Sequence, residues 1–155
     1  MEGTICGQDR VPLRRSWRSV VMPESRKLTI VPSFWADFYA DTRIPAALHV
    51  DDFLYLTGHT GTLDDGTFSD DAESQIRQTF LNIVTTLAKA GVGWSDVVRI
   101  DSYHVGLRAQ SEALMTVAAE FLADPLPAWT AVGVTELFEP DAVVEISCTA
   151  VVPRS

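Results

Sequence analysis

The chain lacks the signatures of membrane and secreted proteins. No apolar run approaches the roughly 20 residues needed to cross a bilayer, so we expect no membrane partner. Residues 1–26 contain neither the apolar central region nor the small-residue cleavage site of a secretory signal, which favours the cytoplasm. Cysteine is scarce, with two among 155 residues. Cys6 lies in the N-terminal segment and Cys148 in a predicted buried strand, so no disulfide is expected.

Several catalytic chemistries also lack their motifs. The three histidines, His49, His59 and His104, show no metal-ligand spacing, and no glycine-rich phosphate loop follows a strand. No serine or cysteine has a convincing base partner, which leaves nucleophilic catalysis without support. We therefore expect no metal and no cofactor.

Positive charge is scarce except near the N-terminus. Residues 1–27 hold six basic and three acidic side chains, a net charge of +3. The remainder of the chain has a net charge of −12, which gives −9 for the whole chain. Nucleic-acid surfaces rely on clustered Lys and Arg, so an acidic body makes a nucleic-acid partner improbable on electrostatic grounds. Residues 1–26 are interpreted as a basic extension, either a loosely docked arm or an interaction arm.

What remains is enough apolar sequence, 46%, for one domain with a core. Asp51-Asp52 separates two apolar runs as a hairpin turn would. Asp70 and Glu73 resemble a capping box before the clearest helix, and Gly91 stands where a left-handed cap belongs. The predicted order is strand 27–32, a packed loop or short helix at 34–39, strands 46–50 and 53–58, helix 70–90, strand 96–105, helix 109–123 and two closing strands. Alternation over 96–105 is predicted to place Val98 with Ile100 on one face and Val97 on the other. The order predicts an α+β domain over residues 27–155, with a single mixed β-sheet covered on one face by two helices.

The two closing strands contain the most unusual residues. Glu145 is a lone carboxylate among apolar and β-branched neighbours, where burial is costly unless the group has a partner or a task. Trp129 is a large aromatic on the preceding strand. These two positions are therefore the first candidates for a functional site.

Four segments together carry a family resemblance. Residues 53–58 end in Thr57-Gly58, residues 75–83 read Gln-Ile-Arg-Gln-Thr-Phe-Leu-Asn-Ile, Pro127-Ala128 opens one closing strand, and Val144-Glu145-Ile146 lies in the other. Over roughly residues 43–152 the chain resembles the Rid/YjgF family, whose best-known members hydrolyse reactive enamines and imines. The resemblance implies a chorismate mutase-like fold and a homotrimer with sheets facing the three-fold axis and small-molecule clefts between subunits.

The resemblance also assigns site residues. Glu145 takes the place of the catalytic glutamate that positions or activates water, Thr57 and Gly58 form the Ser/Thr-Gly corner, and Ala131 supplies a backbone contact. Trp129 stands where active deaminases have an arginine that holds the substrate carboxylate, and an indole has one N–H instead of a charged fork. A family tyrosine corresponds to Ile44 and an asparagine to Met115.

Alternatives remain open at these positions. Trp129 is either a stacking platform for an aromatic ligand or interface packing, and Glu145 is either an acid–base group or a structural carboxylate. Arg43, beside the lost tyrosine, either returns a cation to the site or is a solvated surface residue. His59 is the histidine nearest the predicted cleft, whereas His104 is interpreted as structural.

Two functions follow as hypotheses. The first is an enzyme, a hydrolase or deaminase that converts an enamine, imine or conjugated intermediate with Glu145 as acid–base group. The second is a catalytically silent trimer that binds a small aromatic or apolar metabolite. Ordinary imine deaminase activity is doubtful without the arginine, and ribonuclease or translation-inhibitor activity is opposed by the acidic body.

Overall fold

The structure, a computed structural model, describes residues 27–153. The predicted basic extension at residues 1–26 lies outside this range, as does Cys6. The strands are β1 (Lys27–Ile30), β2 (Ala47–Val50), β3 (Phe53–Leu56), β4 (His59–Thr60), β5 (Val97–Val105), β6 (Ala128–Val134) and β7 (Val144–Val151). The helices are α1 (Ala36–Thr42), α2 (Ala72–Lys89) and α3 (Leu107–Phe121). α1 and the short turn before it confirm the short-helix alternative for residues 34–39, and β4 is a two-residue strand absent from the predicted order.

The strands form one mixed sheet in the order β1-β2-β3-β7-β5-β6, with β4 also pairing with β7. β5 and β6 run parallel, and every other pair is antiparallel. The predicted α+β architecture with a single mixed sheet is thus confirmed. Because β7 is central, Glu145 lies between Thr60 of β4 and Tyr103 of β5.

α2 and α3 cover one face of this sheet. α2 directs Ile76, Phe80, Ile83 and Leu87 into the core, each at most 1% exposed, as its helical spacing predicts. The cap prediction was one residue early, because Asp71 rather than Asp70 is the N-cap and accepts from the Ser74 N–H. Gly91 follows α2 with φ +77°, the left-handed cap that glycine adopts without a Cβ penalty.

A β-bulge alters the faces of β5. The register with β7 shifts between Val97 and Arg99, so Val97 is 6% exposed and Val98 is 46% exposed. The predicted alternation was therefore wrong for these two residues, since one extra residue in a strand reverses the faces before it. Ile100, Ser102 and His104 keep their predicted places on the buried face.

The sheet face opposite the helices is uncovered by the part of the chain that the structure describes. It carries apolar side chains with exposed fractions of 37% to 49%, namely Phe53, Tyr55, Tyr103, Val132 and Val151. Such a patch is typical of a protein interface, which agrees with the trimer that stays a prediction. Within residues 27–153, no helix combines the length and apolar composition of a membrane span.

Candidate functional site

A pocket of about 400 Å³ lies where the α1 segment approaches the corner between β3 and β4. Its volume is within the usual range of small-molecule sites. The polar part of its wall includes Thr57, Gly58, Thr60, Asn82 and Glu145. The apolar part is mainly aromatic and comprises Phe34, Trp35, Phe38, Ile44, Leu63, Phe68 and Phe138.

Glu145 reaches this pocket because of its place on β7. Its neighbours Val144 and Ile146 are fully buried in the helix-covered core, so alternation turns Glu145 away from the helices. The side chain is half-buried and has no hydrogen-bond or ion-pair partner among the described residues. Loss of hydration therefore dominates, and burial raises the pKa of this carboxyl.

The predicted Thr57-Gly58 corner meets this carboxylate. A Cβ on Gly58 would lie 2.6 Å from Cδ of Glu145, which is closer than real side chains approach, so the lack of a side chain at Gly58 makes room for the acid. Thr57 fixes the corner, since its hydroxyl donates to the Pro45 carbonyl at 2.6 Å and its N–H donates to the Ala46 carbonyl at 2.9 Å. The structure thus brings three predicted site residues together: Thr57, Gly58 and Glu145.

His59 lies behind the pocket wall and is completely buried. Its Nδ1 is 2.7 Å from the Thr57 carbonyl, which only accepts, so the neutral ring donates there and leaves Nε2 to accept from the Thr86 hydroxyl at 2.8 Å. Burial lowers the pKa of His59 to about 4. The predicted site histidine is therefore a neutral support of the corner and the aromatic wall.

The aromatic wall is built on that histidine. The Trp35 ring lies over His59 with centroids 4.8 Å apart, and Phe38 meets Trp35 edge-on at 5.2 Å. The Trp35 indole N–H donates to the Ile44 carbonyl at 3.0 Å. Its single donor is thereby occupied, so Trp35 offers the pocket a π face.

Two amides of α2 hold the pocket's loops. Asn82 donates to the carbonyls of Thr60 and Thr62, both at 2.9 Å. Gln75 donates to the carbonyls of Ser69 and Asp141 at 2.8 and 2.9 Å and accepts from the N–H of Val143 at 2.9 Å. These amides position the segments before and after the helix that frame the pocket.

Trp129 does not reach the pocket within the chain. It lies beside Ile100 on the helix-covered face and packs against the core, with its ring centroid 6.5 Å from that of Phe80. Its indole N–H donates to the Ser102 hydroxyl at 2.9 Å. Ala131 is two residues further along β6 and is exposed. The chain therefore does not bring Trp129 and Ala131 together with Glu145, and a site containing all three requires a second subunit.

Arg43 also lies outside the pocket wall. It ends α1 with φ +63°, is exposed, and holds its guanidinium 6.0 Å from the Tyr39 ring. The charged residues of the described wall are Glu139 and Glu145, both acidic. Within residues 27–153, no three His, Cys, Asp or Glu side chains cluster as metal ligands do.

The wall residues Phe34, Trp35, Phe38, Phe138 and Asn82 were not predicted as site residues. The aromatic composition of residues 34–38 is the available sequence signal for a ligand wall. Asn82 enters the sequence analysis only through the resemblance of its helix. The Phe138 loop gave no signal, because its place beside Glu145 depends on the return of the chain into β7.

Comparison with known proteins agrees with this fold. The family model described as Endoribonuclease L-PSP matches residues 37–152. The RutC family protein YjgH of Escherichia coli (strain K12) is 39% identical over 112 residues, which cover 72% of this chain and 86% of the relative. A solved structure of a protein named YJGH has 36% identity and a TM-score of 0.76, covering 84% of this chain and 99% of the other. Rv2704 of Mycobacterium tuberculosis, described as a member of the YjgF/YER057c/UK114 family, has 27% identity and a TM-score of 0.69, covering 80% of this chain and 98% of the other.

Proposed function

This chain belongs to the YjgF/Rid family, matched as Endoribonuclease L-PSP, and we propose that it converts a small enamine, imine or related conjugated intermediate with Glu145 as the acid–base group. The observation that carries the proposal is a half-buried carboxyl that has no partner among residues 27–153 and packs against Gly58 in the wall of a small-molecule pocket. A structural carboxylate would be expected to have hydrogen-bond donors around it.

Imine hydrolysis requires a group that accepts a proton from water and later donates one to nitrogen, and a carboxyl can do both. Ionised Glu145 takes a proton from water as the water oxygen bonds to the carbon of the protonated imine, and the C=N π electrons move to the nitrogen. Glu145 then passes that proton to the nitrogen of the resulting carbinolamine. Ammonia or an amine leaves as the carbonyl forms, and the carbinolamine hydroxyl gives its proton to Glu145, which returns it to water. A pKa raised by burial suits this exchange, because proton transfer is most effective when the pKa is near the working pH.

The proposal places the working site in a homotrimer. The family is usually homotrimeric, and the apolar open face, with Tyr103 and Val132 exposed, supplies a surface for association. Since β6 is an edge strand, the exposed Ala131 is available to a neighbour's pocket, whereas Trp129 is packed against its own core. The expected compartment is the cytoplasm.

We do not extend the ribonuclease activity in the family's description to this chain. Residues 28–155 carry −12, and the described pocket wall contributes two more carboxylates than cations. Phosphate contacts need the opposite charge.

The test is turnover of imines generated in the assay from amines by an amine oxidase, with release of the carbonyl product followed. Glu145→Gln should lower kcat/KM by about 10² to 10⁴, the usual contribution of a positioned acid–base group. Glu112→Gln, an exposed carboxylate on α3, is the matched control and should be unaffected.

Unchanged turnover in Glu145→Gln would sink the enzyme proposal. A second variant, Trp129→Arg, restores the family's cation. If the native protein shows no activity and Trp129→Arg gains hydrolysis of carboxylate-bearing imines, the protein is a silent binder and the proposal is wrong.

A further inference from the structure

We propose that the Glu145 pocket selects planar organic cations that lack a carboxylate, so that its reactive ligand is an iminium attached to an aromatic or conjugated group. The inference deepens the proposed function, because it names the ligand class of the same site. It rests on the pocket's charge and on its aromatic wall, neither of which depends on Trp129.

The charge of the pocket excludes an anionic ligand. Glu139 and Glu145 are the charged members of the described wall, and neither has an ion-pair partner among the described residues. A carboxylate placed between them would be repelled by like charges and would find no guanidinium fork. A cation would instead gain two counter-charges in a partly desolvated space.

Among residues 27–153, the basic side chains near the pocket do not reverse this balance. Arg43 lies outside the wall and is directed towards Tyr39. His59 lies behind Trp35 and is neutral at physiological pH, because burial lowers its pKa to about 4. Its nitrogens are also engaged by Thr57 and Thr86.

The aromatic wall favours a flat cation over a compact one. Trp35 is fixed by its hydrogen bond to Ile44 and by a tilted ring contact with His59, so its ring is held ready for a ligand. Phe34 and Phe38 meet Trp35 edge-on, at interplanar angles of 86° and 75°. Electron-rich ring faces attract cations and stack with planar groups. Glu145 then lies beside the charged end of the ligand.

The charge preference also bears on the reaction. A protonated imine is the more electrophilic form, and an ionised Glu145 beside it both stabilises the iminium and can accept a proton from water. In this scheme water adds to the iminium carbon, its proton passes to Glu145, and the nitrogen already holds its own proton. No oxidant, reductant or metal is required.

Calorimetry on the full chain with three two-ring probes of similar shape tests the inference. We expect N-methylquinolinium, a fixed cation, to bind about tenfold more tightly than neutral quinoline at pH 8, as a desolvated cation–π contact implies. We expect 1-naphthoate to bind most weakly. Glu139→Gln should weaken the cation by several-fold, about one surface charge's contribution, and leave quinoline unchanged, while Glu112→Gln changes neither.

The outcomes separate this inference from the enzyme proposal. Tightest binding of 1-naphthoate, equal binding of all three probes or no binding of any would overturn the cation pocket, whatever the turnover. Preferred binding of N-methylquinolinium together with undiminished turnover in Glu145→Gln would support the pocket and remove the catalytic role. Trp35→Phe, which keeps a ring, should retain the preference if the variant's melting temperature is preserved, whereas Trp35→Ala should lose it.

Discussion

Trp129 and Glu145 each carry a polar group, and they differ in whether that group has a hydrogen-bond partner among the described residues. The indole N–H of Trp129 is paired with Ser102, and its ring fills space beside the core. The carboxyl of Glu145 is half-buried and has no partner among the described residues, at a pocket with room for a ligand. Satisfied polar groups stabilise a fold and unsatisfied ones cost free energy. Residues 27–153 therefore supply a structural explanation for Trp129 and none for Glu145.

This difference shows that an equivalent position in a family does not guarantee an equivalent role for the residue that occupies it. The resemblance assigns a substrate-binding arginine to the position of Trp129, but the contacts of Trp129 are those of a packing residue. Glu145 and Gly58, which the resemblance also assigns to the site, contact each other in the pocket wall. An aromatic residue at a position of functional origin can thus pack against the core, whereas a carboxyl beside Gly58 at a pocket cannot.

The largest contrast is expected between two tryptophan truncations. Trp129→Ala should lower the free energy of unfolding by about 3 kcal/mol, since it removes a large ring packed on the core, and should leave the binding of N-methylquinolinium unchanged. Trp35→Ala should weaken that binding by about tenfold at a smaller cost in stability. Urea unfolding and calorimetry measure both quantities.

The assigned roles would be wrong if Trp129 rather than Trp35 contributed to probe binding. Loss of probe binding in a folded Trp129→Ala protein would mean that a neighbour's Trp129 enters the pocket in the assembled protein. Trp129→Phe is the companion variant, because it keeps most of the packing and removes only the indole N–H.

A further prediction concerns His59, near Glu145, and His104, near Trp129. His59 has its pKa lowered to about 4 by burial, and burial also lowers the pKa of His104, which contacts Ser102. The unfolded chain binds these protons near pH 6.5 and the native protein does not, so stability is present above pH 6.5 and is lost as pH falls towards 4. The His59 shift alone corresponds to about 3 kcal/mol.

Histidine NMR titration with unfolding at pH 7 and pH 5 measures this effect. A His59 that titrates near 6.5 would refute its role as a neutral support for Trp35.

A smaller effect is expected from adding one methyl group at the corner. Gly58→Ala places a Cβ where the Glu145 carboxyl now lies, so the acid must move and the affinity for N-methylquinolinium should fall by about threefold to tenfold. Gly93→Ala is the matched control, because a Cβ there meets nothing within 4 Å and Gly93 has a negative φ. Equal affinities for the two variants would show that Glu145 does not depend on the corner.

Much of the fold followed from the sequence because local signals agreed with one another. The helical stripe of α2 and the Asp51-Asp52 turn reflect side-chain periodicity and backbone preference, which are local. The bulge at Val97 was missed because it depends on pairing with β7. The choice of Asp71 over Asp70 as cap depends on which residue leaves the helix first.

The site was predictable in part for a related reason. Glu145 stood out by chemistry, and Thr57-Gly58 by resemblance. The aromatic wall could not be placed, because α1 meets the β3–β4 corner only after the sheet has formed. The orientation of Trp129 was also hidden, since alternation along an edge strand leaves both faces available until the partner strand is fixed.

The most direct test of the central claim is the titration of the Glu145 carboxyl by carbon NMR, with Glu145→Gln to assign the signal. An unpartnered, desolvated carboxyl should titrate above the usual pKa of glutamate, 4.5, and N-methylquinolinium should lower that pKa by stabilising the ionised form. A free-protein pKa at or below 4.5, unchanged by the cation, would show that Glu145 is already paired and would contradict the account.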